Sequence, residues 1–233
     1  MDDVTHPSRV AGYQGPTAAS PGRTLLAAGI LAGPVYVLTS LVEVILRPGF
    51  DLTRHSLSLL SNGDGGWIHS AMMLVAGGLM VAGALGMRRA LTDGRGRTWA
   101  PILVGAFGAS FIAAGLMTPD PALGFPPGTP AGPPAVVSWH SIGHLVAGSI
   151  GFLCLIAACF VFARRFRTGG ERGWAIYSTA TGLVVLAAVV GISSGNQVPI
   201  VNLGFTTSGV IAWIWTTAVC ARVRARRPEA GAT

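Results

Sequence analysis

Six apolar segments, each 18–25 residues long, leave this 233-residue chain little choice of architecture. They run over 24–46, 67–87, 99–117, 139–163, 174–192 and 204–221. An α-helix rises about 1.5 Å per residue, so each segment can cross the ~30 Å hydrocarbon core of a bilayer. The chain is 51% hydrophobic and 11% charged, roughly half the charge of a soluble domain. A soluble enzyme, a disulfide-stapled secreted domain and a disordered protein are thereby excluded. The expected fold class is all-α, a polytopic membrane protein built as a six-transmembrane-helix bundle.

The charges set the expected orientation. Lysine is absent, and fourteen of the sixteen arginines fall in the tails or in the second and fourth connections. Only Arg47 and Arg54 lie on the opposite side. The positive-inside rule then puts both termini in the cytoplasm of a cell-membrane protein, with loops 47–66, 118–138 and 193–203 outside. Residues 1–23 read as a flexible cytoplasmic tail without the apolar core of a signal peptide, and 222–233 as a basic cytoplasmic tail. A net charge of +7 would point to nucleic acid in a soluble chain. No basic stripe interleaved with aromatics accompanies it here, so membrane lipids, and no nucleic acid, are the expected partners.

Within the spans, small residues recur at helical spacing: Gly29 and Gly33 in the first, Gly78, Ala82 and Gly86 in the second. Such positions let helix backbones approach closely in lipid. Pro34, inside the first span, leaves the carbonyl four residues back without its helical donor. Cys154, Cys159 and Cys220 read as inert core thiols. No repeat relates the two halves of the chain, so a transporter-style duplication is not expected.

The chemistry-bearing residues gather on the expected outer side. Loop 47–66 carries Arg47, Asp51, Arg54, His55 and Ser58. Asp51 or Thr53 is placed to cap a short helix ended by Asn62-Gly63, with Leu57 and Leu60 on its apolar face. Asp64 is placed to cap the second span, and Trp67 sits where an aromatic belt would. Six prolines between Asp120 and Pro134 make the next loop a shaped lid. It leads into Ser138-Trp139-His140-Ser141-Ile142-Gly143-His144, whose two histidines, four apart, share a helix face. Ser193, Ser194, Asn196, Gln197, Asn202, Thr206, Thr207 and Ser208, at the outer ends of spans five and six, are candidates to line a pocket or cap helices.

The order RPGFDxxxHxxSLL, GGWI, DPALGFPPGTPAGPP, SWHxxxH resembles domain-of-unknown-function family 998 across about residues 24–221. The resemblance implies a bacterial or archaeal six-helix membrane protein, and it marks Asp51, Arg54, His55, Ser58, Asp120, His140 and His144. Ser141 stands where the family pattern has Gly. The family has no established activity, and His69 belongs to no motif.

Three readings of the outer residues remain open. In the first they are structural: the paired histidines bond loop carbonyls or pair with Asp120 or Asp51, and with Asp51 beside Arg54 they pin the loops of a structural membrane subunit. In the second they form an outward vestibule for a lipid headgroup or small ligand, using Arg47, Asp51, Arg54, His55, Ser58, Asp120, His140 and His144. Arginine's planar fork suits phosphate, although Glu43, four residues before Arg47, is placed to neutralise it. In the third, His55, His140 and His144 hold a zinc ion whose bound water attacks an ester or amide. That would make the chain a zinc-dependent lipid amidase or esterase. It would be similar to membrane-embedded ceramidase-type hydrolases in ligand type, though not in motif order.

Overall fold

A computed structural model of the protein describes residues 21–195 and 198–226. Most of the expected N-terminal tail, Asn196, Gln197 and the last seven residues, with Arg227, lie outside the described residues. The elements are α1 (Pro21–Leu46), α2 (Gly66–Ala90), α3 (Trp99–Leu116), α4 (Trp139–Thr168), α5 (Arg172–Ser193) and α6 (Pro199–Ala225). All six are long and apolar enough to span a membrane, and each coincides with one expected segment. α6 extends furthest beyond its apolar core. It opens on Pro199, whose missing N–H costs nothing at that position, and continues through Arg222 and Arg224.

Each helix packs against its sequence neighbours, and α6 returns against α1, so the bundle closes into a ring. One end is rich in arginine. There Arg165 Nη1 donates to the carbonyls of Asp93 and Arg95 at 2.7 and 3.0 Å, tying α4 to the α2–α3 turn. The other end, called the loop end below, carries the connections after α1, α3 and α5. Trp67, Trp99 and Trp139 are exposed near the starts of α2, α3 and α4, as amphipathic rings at a membrane–water boundary would be.

The glycines of α1 set two different crossings. A Cβ at Gly29 would lie 2.8 Å from the Gly83 Cα of α2, and one at Gly33 would lie 2.8 Å from the Trp213 carbonyl of α6. Gly86 packs against Leu26, but Gly78 faces open space; Gly77 makes the α3 crossing, against the Gly108 carbonyl. The expected 78-82-86 stripe is therefore corrected to contacts at Gly77, Gly83 and Gly86. A four-residue step drifts around the helix surface, so it cannot show which of two adjacent glycines faces a partner. The carbonyl left over by Pro34 is Ile30 O, and Thr217 Oγ1 of α6 donates to it at 3.3 Å. Tyr36, Phe107, Phe111 and Trp213 stack and meet edge to face at the centre of the ring, with centroid separations of 5.0–5.5 Å.

Candidate functional site

The loop after α1 folds by satisfying its own backbone. Asp51 Oδ1 accepts from Thr53 N at 2.8 Å and Thr53 Oγ1 at 2.7 Å, closing a turn in which His55 N donates to Asp51 O. These bonds from Thr53, side chain first, hold the Asp51 carboxyl below the usual carboxylate range. The expected helix is a 3-10 turn, Leu57–Ser61, preceded by Ser56 rather than capped by Asp51 or Thr53, and ended at Asn62 as expected. Leu59 and Leu60 bury against Phe125 in a small core of their own. α2 is preceded by Gly65 at φ 82° with no side-chain cap, so Asp64 does not serve as the cap, and it is exposed.

His55 locks this loop to the next. Its Nδ1 accepts from Asp51 N at 2.9 Å, which leaves the proton on Nε2 to donate to Leu123 O at 3.0 Å. Phe50 and Phe125 flank the ring, and Asn202 Nδ2 ties the same loop to α6 through Leu52 O and His55 O at 2.7 and 2.9 Å. Arg47 bonds the carbonyls of Leu60 and Asn62 and lies over the Phe125 ring. Its fork is thus spent on backbone oxygens. Arg54 is exposed.

The loop before α4 is shaped in a similar way. Ser138 N donates to Asp120 Oδ2 at 2.7 Å, and Ser138 Oγ caps α4 by accepting from Ser141 N at 3.1 Å. Hydrogen bonding from Ser138, side chain and then backbone, keeps the Asp120 carboxyl below its ordinary value, with neighbouring His140 adding to the effect. The paired histidines then part company. His140 is exposed and lies against Trp139, centroids 3.9 Å apart. His144 is buried, and its Nδ1–H is shared between Ala114 O and Met117 O at 2.9 and 2.8 Å. Those carbonyls belong to the last turn of α3 and the residue after it, where helical donors run out. Of the two structural partners expected for His144, carbonyls and a carboxylate, it takes the carbonyls.

A cavity of about 290 Å³ lies at the loop end, and all six helices contribute to it. Tyr36 and Phe111 line it and pass into the aromatic centre. Ser56, Leu57 and Ser58 also line it, so the first loop covers it and the proline-rich loop backs that cover through His55. Of the eight residues named for the vestibule, Ser58 and His144 reach the cavity; of the polar candidates on α5 and α6, Ser193 and Thr206 do. Ser194 and Ser208 instead bond carbonyls of their own helices.

The sequence reading missed the most unusual group in this wall. His69 of α2 lines the cavity, and its Nδ1–H donates to Glu43 Oε2 of α1 at 2.7 Å. The two side chains are 1% and 5% exposed. The signal was present, since Glu43 is the one acid of nine to fall inside an apolar span, and ionisable groups at membrane depth mark functional sites by default. The expected Glu43–Arg47 pair is also present, as an ion pair with 4.0 Å between Arg47 Nη1 and Glu43 Oε1, longer than a hydrogen bond.

The zinc ligand set does not assemble. Both nitrogens of His55 are engaged, His140 faces outward, and no three His, Cys, Asp or Glu among the described residues lie together as a metal would need. No curated protein and no solved structure matches the chain. A family described as "Protein of unknown function (DUF998)" matches residues 30–222, and the chain belongs to that family of membrane-type helical proteins.

Proposed function

We propose that the protein binds a lipid headgroup or small amphipathic ligand in the loop-end cavity, in a cell membrane with both termini cytoplasmic. The observation that carries the reading is the cavity itself: an apolar space with a few convergent polar groups, the usual make-up of a small-molecule site. Its position favours a ligand drawn from the bilayer. Leu145 and Ser149 line it and are also exposed on α4, about 9–15 Å along the helix from Trp139. The mouth thus lies on the lipid-facing flank.

Gly148 offers a clean test, because it lines the cavity and a Cβ there meets no atom within 4 Å. Gly148→Phe should fill the space, leave thermal stability near wild type and strip a small molecule that co-purifies with the wild-type protein, as read by native mass spectrometry. Retention of the same molecule by the filled variant, or none in the wild type, would leave a structural membrane subunit as the better reading. Orientation is checked with a membrane-impermeant thiol reagent. Asp64→Cys should label in intact cells and Arg95→Cys only after permeabilisation, both sites being exposed.

A further inference from the structure

The cavity's two histidines are fixed in the same tautomer. Carbonyl oxygens only accept, so His144 carries its proton on Nδ1, bonded to Ala114 O and Met117 O. The Glu43 carboxylate likewise takes the Nδ1–H of His69. Each neutral ring therefore keeps a lone pair on Nε2, and neither Nε2 has a hydrogen-bond partner among the described residues. Both rings line the cavity, so these lone pairs are available to a donor held there.

The surroundings supply no competing cation. Arg47 is turned to the carbonyls of Leu60 and Asn62 and does not line the cavity. The charged and titratable groups facing His69 are Glu43 and Tyr36 of α1, with Arg47 behind Glu43, and His144 of α4 across the cavity. The 56–58 segment, α3, α5 and α6 bring only hydroxyls, from Ser56, Ser58, Ser110, Ser193 and Thr206. An anionic headgroup would thus meet two lone pairs with a carboxylate behind one of them.

Resting on the cavity reading above, we infer that the ligand is a neutral amphiphile whose hydroxyl or amide N–H groups donate to His69 Nε2 and His144 Nε2. The bond to Glu43 holds the His69 ring in one orientation, and the bonds to Ala114 O and Met117 O hold that of His144.

The test uses the full chain in phosphatidylcholine nanodiscs, with monolaurin and laurate as probes of one chain length. At pH 8 wild type should bind monolaurin at least tenfold more tightly than laurate. His69→Gln, which keeps an acceptor, should hold that preference, and His69→Phe, which has none, should lose at least fivefold in monolaurin affinity. Equal or tighter binding of laurate by wild type at pH 8 would overturn the assignment without needing any variant to fold. Undiminished monolaurin binding by folded His69→Phe would overturn the role of His69. Gly148→Phe separates the two readings: monolaurin bound undiminished by it removes the cavity reading, and this one with it. Loss of both probes in that variant, with laurate preferred by wild type, keeps the cavity and removes only the donor rule.

Discussion

Two glutamates are gripped at opposite ends of the bundle, and the residues that hold them differ. At the arginine-rich end, Glu171 precedes α5 and takes Arg222 Nε and Nη2 on Oε2 at 2.8 and 2.5 Å, with Arg226 on Oε1. These groups rim an open polar crevice that Arg89 and Arg165 also line with Arg222 and Arg226. At the loop end, Glu43 is held by His69 in the wall of an apolar cavity. The arginine pairs border an open crevice, where solvent screens them, and tie α6 to the α4–α5 turn. The histidine pair is shut away from solvent.

The largest expected effect tests that difference directly. His69→Leu takes the hydrogen-bond donor from the buried Glu43 carboxylate and leaves it only the longer ion pair to Arg47, and should cost about 3–5 kcal/mol in reversible unfolding. The double variant Glu43→Leu, His69→Leu should recover much of that loss, since it removes the stranded charge. A double variant as unstable as the single one would show that packing, not pairing, is at stake. Next comes the loop anchor. Asn202→Leu deprives the buried Leu52 and His55 carbonyls of their donor and should cost about 1–3 kcal/mol, read as a lower unfolding temperature.

Glu171→Gln, on the partly exposed rim, should cost no more than about 1 kcal/mol, and high salt should shrink the difference. A loss as large as that of His69→Leu would end the contrast between the screened pairs and the buried one. The smallest effect belongs to Asp120, whose carboxyl is held below its ordinary value by Ser138. A depressed folded value contributes stability above the unfolded value, near 4, and loses it as pH falls through the folded value. Asp120→Asn should therefore differ from wild type at pH 6 and converge with it only below about pH 4, in thermal unfolding scans.

How much of this was legible varies by residue. The spans were, as was the partition of arginine, and Ser138 as the entry to α4 follows from its place before an apolar run. His140 and His144 were legible as a pair on one face, yet one is exposed and the other buried. Positions four apart are separated by about 40° around a helix, enough to place one at the packed seam and the other outside it. His69 had no motif, and its partner lies 26 residues away on another helix.

The amino-acid sequence alone determined the six helices and the end at which histidine and aspartate collect. Transfer of apolar side chains out of water is additive along a segment and needs no partner to be counted. Only the tertiary structure decided which side of each helix turns inward. Apolar residues surround these helices on all faces, so no polar–apolar contrast marks the packed side, and close packing of small residues and scarce polar bonds settles it. Gly77 in place of Gly78, Glu43 bonded to His69 as well as paired with Arg47, and His55 as a lock between loops are all products of that packing.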